Sequence, residues 1–166
     1  MELAHQALVR IELSELEHRL IEDLQSRIRQ IASDPPGLDI AVAYRPAQRG
    51  IAMGGDWYDV VVGIDGTTRV VVGDVAGHGV QAVADMLELR SSTRALLAGG
   101  LPIEEVVERV DGLIDAERTA TMVVAELLGD QVRYASAGHP PALVIGADGA
   151  VRLLEDGRSP LLGLVD

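Results

Sequence analysis

Cysteine and phenylalanine are absent from the 166 residues, and the chain has one Trp and three Tyr. Without Cys there is no disulfide, no thiol nucleophile and no zinc–thiolate site. With aromatics this scarce, a core must be packed by Val, Leu, Ile and Ala. The hydrophobic share of 48% leaves enough of them. Basic residues are also few: 14 Lys and Arg stand against 26 Asp and Glu, a formal charge of −12. A protein that grips nucleic-acid backbones needs a basic face, so no nucleic acid is expected as a partner. A phosphorylated protein is still admissible, because a bound cation inverts the local charge. No apolar run is long enough to cross a bilayer, and no basic-then-apolar leader opens the chain. Both point to a cytoplasmic protein with no membrane partner.

What is present is periodicity. Leu13, Leu16, Leu20, Leu24, Ile28 and Ile31 recur at gaps of three and four, which predicts one amphipathic helix over residues 2–32. Glu15 with Arg19, and Asp23 with Arg27, fall at i,i+4 on its polar side. Ser33-Asp34-Pro35-Pro36-Gly37 ends that helix. From Leu38 the period becomes two: Leu38, Ile40, Val42 and Tyr44 alternate as in a half-buried strand. The runs 55–64 and 67–75 flank Asp65-Gly66, a strong hairpin signal. A helix over 80–98 is expected to turn Val80, Ala84, Leu87, Ser91 and Ala95 inward. A second helix, 103–115, carries the stripe Ile103, Val106, Val107, Val110, Leu113 and Ile114. Strands are expected at 119–128, 131–136 and 142–145, with a short run at 151–154. Strands, two adjacent helices, then strands make an α+β arrangement.

Two acidic motifs carry candidate chemistry. Gly54-Gly55-Asp56-Trp57-Tyr58-Asp59 opens one strand, and Gly73-Asp74-Val75-Ala76-Gly77-His78-Gly79 closes the next. If the strands pair through the 65–66 turn, Asp56 and Asp74 meet at one end of the hairpin. Two carboxylates beside glycines suit hard cations such as magnesium or manganese. Each Asp alone also reads as a turn former or helix cap. Residues 73–79 also read as a nucleotide loop, although they lack the Lys-Ser/Thr of a P-loop. Trp57 and Asp59 read as packing residues of the first strand, His78 as a residue of the helix start, and His139 as a turn residue near the site. His5 and His18 read as surface residues of the long helix.

Taken together, these two motifs, followed by Ala137-Gly138-His139-Pro140-Pro141-Ala142-Leu143, resemble the SpoIIE/RsbU branch of the metal-dependent (PPM) protein phosphatases. Tyr44-Arg45-Pro46-Ala47 and Pro160-Leu161-Leu162-Gly163-Leu164 add to the likeness, which runs from about Leu38 to the end. The resemblance implies a PPM-like β-sandwich flanked by helices. It implies two divalent cations, manganese or magnesium, that activate a water for attack at phosphorus. It gives Asp74 as the bridging carboxylate, Val75 as a carbonyl ligand and Asp56 as the second carboxylate of the site. It implies a phosphoserine or phosphothreonine substrate, by analogy a phosphorylated STAS-type anti-sigma-factor antagonist. Family members continue with a Thr-Asp-Gly-like segment and a further Asp, so the domain reads as incomplete at its C-terminus.

The expected organisation is therefore an N-terminal helix over 1–33 for dimerisation or signal coupling, a linker at 34–37 and a partial phosphatase domain over 38–166. A homodimer through the N-terminal helix is one expected partner state. The competing class is a non-catalytic interaction module that keeps the phosphatase fold.

Overall fold

The computed structural model describes residues 5–6, 9–16, 19, 35, 37–43, 54–115 and 117–164. The N-terminal residues among them, 5–6, 9–16 and 19, are helical, and Arg19 donates from Nε to the Glu15 carbonyl. Most of the predicted helix 2–32, including His18, lies outside the described residues, and so does Tyr44. Residues 38–43 form no strand, which corrects the expectation drawn from their alternation. Alternation marks only which side chains could share a face; a strand also needs a neighbour for its backbone groups.

The hairpin is built as its Val-rich runs predict. Strand β1, Gly54–Val62, pairs antiparallel with β2, Thr68–His78. The turn between them is closed by Asp65, whose Oδ1 accepts from the Thr67 N–H, and by Gly66, whose φ of 78° needs glycine. Helix α1, Val80–Ala98, follows, then α2, Ile103–Asp111. Strand β3, Ala120–Leu128, pairs with β2, and β4, Gln131–Ala137, pairs with β3. A small hairpin of β5, Ala142–Ile145, and β6, Val151–Leu154, forms a separate two-stranded sheet. The two-residue strand β7, Arg158–Ser159, runs parallel to β4 and completes a five-stranded sheet in the order β1-β2-β3-β4-β7. The α+β class expected from the element order is the one observed.

Both helices cover one face of the sheet. Trp57, Val61, Val71, Val75, Met122 and Val124 point into the core, where they meet Val83, Met86, Leu89 and Leu97 of α1 and Ile103, Val106 and Val110 of α2. The buried side of α1 is thus Ala82, Val83, Asp85, Met86, Leu89, Thr93 and Leu97. This overturns the expected inner face, since Val80, Ala84, Ser91 and Ala95 are exposed. Apolar residues lie all round this helix, so pattern alone does not choose a side. The larger side chains Met86, Leu89 and Leu97 enter the core, and ion pairs flank them: Asp85 meets Arg118 at 2.6 Å, and buried Asp59 of β1 meets Arg94 at 2.5 Å. Helix α2 also stops short of its predicted end, at Asp111 before Gly112, and Leu113 is exposed.

A second buried ion pair ties the hairpin to the rest of the sheet. Arg69 and Glu126, both almost fully buried, lie 2.7 Å apart on neighbouring strands, and Arg69 also holds Asp65 at 2.7 Å. The hydrogen bond from Arg69 is the main reason the Asp65 carboxyl is held down at about 2.

Candidate metal centre

The opposite face of the sheet carries the acidic motifs. In the β1–β2 register Asp56 stands directly across from Asp74, and in the β2–β3 register Asp74 stands across from Thr121. Opposed residues in a pleated sheet project to the same side, so the three form one row. Asp56 and Asp74 are exposed and Thr121 is half-buried. Their neighbours in sequence point the other way into the core: Trp57 and Val75 are buried, and Gly73 lies under the Trp57 ring. A Cβ at Gly73 would overlap that ring, and one at Gly55 would overlap the Val75 backbone. The glycines of both motifs therefore admit the close packing that holds Asp56 and Asp74 level.

The electrostatics of the pair fit a cation. The Asp74 carboxyl is raised above the ordinary carboxylate pKa, first by desolvation and then by the charge and hydrogen bonding of Asp56. A hard divalent cation between such oxygens would offset that repulsion. Val75 follows Asp74 with its side chain in the core, so only its backbone carbonyl can serve a cation. Among the described residues no group of three or more His, Cys, Asp or Glu converges closely enough to hold a metal. The pair suits one cation; the described carboxylates fall short of a closed two-metal site.

Two alternative readings of the second motif fail on geometry. Asp74 lies inside β2, and the residue that caps α1 is Gly79, without a side-chain cap, so Asp74 is not a helix cap. Residues 73–78 are strand, leaving Gly79 alone between β2 and α1, so no glycine-rich nucleotide loop exists there. His78 ends β2 opposite Gly54 and is exposed. His5 is exposed on the N-terminal helix, as expected.

His139 reaches the site from the far side of the sheet. Its Nδ1 lies 2.7 Å from the Thr121 Oγ1. Burial lowers the His139 pKa, while the Asp56 charge acts in the opposite direction. The turn that carries it is pinned by the C-terminal segment. Gly138 N–H donates to the Ser159 carbonyl, and Ala120 and Leu162 exchange both backbone hydrogen bonds. The segments around 137–143 and 160–164, far apart in sequence, thus meet beside Thr121. Sequence reading missed Thr121, because a Thr in a strand is ordinary; only the register places it beside Asp74.

The profile of the family described as Stage II sporulation protein E (SpoIIE) matches residues 64–166. Among solved structures, the chain is similar to the RsbU and RsbW domains of a Mycobacterium tuberculosis protein. That match has 37% identity and a TM-score of 0.62, over 71% of this chain and 34% of the other. It is also similar in fold to the PP2C phosphatase domain, with a fragment of the regulatory domain, of the cell fate determinant SpoIIE from Bacillus subtilis. There the identity is 17% and the TM-score 0.57, over 73% of this chain and 37% of the other. The chain spans about a third of the length of these two structures.

Proposed function

The chain belongs to the SpoIIE family, and on that premise we propose that the protein is a metal-dependent phosphatase acting on phosphoserine or phosphothreonine of a cytoplasmic signalling partner. The observation that carries this reading is the opposition of Asp56 and Asp74 across one ladder, on the sheet face away from both helices. Asp74 and Asp56 would hold a manganese or magnesium ion, with the Val75 carbonyl as a further ligand. Divalent cations bound there would supply an activated water and offset the charge of the phosphoryl oxygens. The chain's own part is to hold the carboxylates rigidly. Trp57 packed on Gly73, and Asp59 paired with Arg94, fix β1 and β2 from beneath. By family resemblance the substrate is a phosphorylated STAS-type antagonist of an anti-sigma factor.

The N-terminal helix is proposed as a separate unit, for homodimerisation or signal coupling, ahead of a linker at 34–37 and the phosphatase domain from 38 onward. Val9, Ile11, Leu13 and Leu16 are all exposed on it, which supports a partner for that helix.

A second reading, a phosphatase-fold interaction module without turnover, is favoured by one observation. The described residues offer two opposed carboxylates and no third metal-binding side chain, while a two-metal clamp must offset four positive charges. Hydrolysis of p-nitrophenyl phosphate with saturating manganese separates the readings. Turnover that is lost in Asp74→Asn supports the enzyme. Manganese binding without turnover supports the module.

A further inference from the structure

His139 sits in the turn that follows β4. The turn is held by its backbone: Gly138 N–H donates to Ser159, and the His139 carbonyl accepts from the Arg158 guanidinium at 3.2 Å and the Ser136 hydroxyl at 3.5 Å. Gly138, with a φ of 59° and Leu161 where its Cβ would be, fixes the direction in which the chain leaves β4. None of this uses the imidazole. The ring instead reaches Thr121, the residue that shares a row with Asp56 and Asp74, and its Nδ1 lies 2.7 Å from the threonine Oγ1.

We propose that His139, oriented by Thr121, positions substrate by donating its Nε2–H to a non-bridging oxygen of the phosphoryl group held at the Asp56–Asp74 pair. This rests on the phosphatase reading above. A threonine hydroxyl that donates to Nδ1 leaves the proton of an uncharged imidazole on Nε2. Carboxylates only accept hydrogen bonds, so Asp56 and Asp74 can reach a phosphoryl oxygen only through a cation. A donor beside them supplies a direct contact. His139 feels the charge of Asp56, yet it does not complete a metal-binding group of three with the two carboxylates. That leaves its free nitrogen for substrate rather than for metal.

The test is calorimetric binding of inorganic phosphate to the manganese-loaded chain, with the His139 tautomer read by nitrogen-15 NMR. Loss of one hydrogen bond to a charged oxygen should weaken phosphate about tenfold. His139→Asn, whose amide reaches only as far as Nδ1, should show that loss with manganese affinity kept. His139→Gln, whose amide nitrogen can occupy the Nε2 position, should recover most of it. The wild-type ring should carry its proton on Nε2, and Thr121→Val should mix the tautomers. Phosphate affinity unchanged in His139→Asn, or a wild-type proton on Nδ1, overturns the proposal and leaves the phosphatase reading standing. If the wild type shows no manganese-dependent phosphate binding, both fall together.

Discussion

Asp56 and Asp74 face each other across the β1–β2 ladder, two like charges at one register position with Thr121 next in the row. The Asp74 carboxyl is held above the ordinary carboxylate pKa, first by desolvation and then by the charge of Asp56. Such an arrangement costs folding stability, a cost that a bound cation would offset.

Replacing Asp74 with Asn should therefore act in opposite directions on two measurements. Manganese affinity should fall by about 100-fold or more, beyond the 10–100-fold that losing a supporting partner costs. The metal-free protein should melt at a higher temperature, not a lower one, at neutral pH. An acid with a raised folded pKa loses stability as pH climbs through that pKa, and Asn removes the group. Calorimetry for the metal and a thermal melt for the fold check both. A lower melting temperature with intact manganese binding would show Asp74 to be structural.

Gly73 should be intolerant of a single methyl group. Its Cβ would overlap the Trp57 ring, which is 2% exposed and packed beneath the acidic row. Gly73→Ala should cost about 1–3 kcal/mol, as overpacking in a core does. Trp57 is the only tryptophan, so its fluorescence reports directly: the emission should shift to the red as the ring is displaced. An unshifted spectrum with unchanged urea midpoint would mean the ring and strand accommodate the methyl.

Acid should weaken the fold in part through the β1–β2 turn. The Asp65 carboxyl is held at about 2 instead of its ordinary 3.8, chiefly by Arg69. A depressed folded pKa adds stability above the unfolded value and loses it as pH falls through the folded one. The loss should lie between pH 4 and pH 2. The Asp65 side chain is 41% exposed, so solvent screens the contribution. Urea midpoints at pH 5 and pH 2.5 should converge more closely in Asp65→Asn than in the wild type. Equal convergence in both would assign the acid sensitivity to other carboxylates.

The N-terminal helix should drive self-association. Leu13 and Leu16 are about 60% exposed, beside Val9 and Ile11, an apolar surface that water disfavours. Light scattering should give a dimer for the full chain and a monomer for residues 35–166. Leu13→Glu with Leu16→Glu should also yield the monomer. A monomer in every case would place the helix against its own domain or leave it without a partner.

Much of the architecture was legible before any coordinates. Asp65-Gly66 and the Val runs on either side mark a hairpin by local rules, but its loop is the three residues Ile64-Asp65-Gly66, closed by the Gly63 N–H donating to the Thr67 carbonyl. The meeting of Asp56 and Asp74 depends on that loop length, because a loop one residue shorter would set Asp56 opposite Val75 and turn the two carboxylates to different faces. Helix α2 was equally legible, with its stripe of Ile103, Val106 and Val110. Where local pattern was degenerate, only tertiary contacts decided. Helix α1 has apolar residues on every side, and the face it buries, with Met86, Leu89 and Leu97, is defined by packing on the sheet, where Asp85 also meets Arg118 and Arg94 meets Asp59, partners tens of residues apart. Residues 38–43 alternate like a strand but found no ladder. Thr121 became a neighbour of Asp74, and His139 a neighbour of Thr121, through strand register and through backbone bonds from Ser159 and Leu162. Short-range preferences are written in consecutive residues. Which distant side chains share one face of a sheet is set by pairing energies that exist only once the chain has folded.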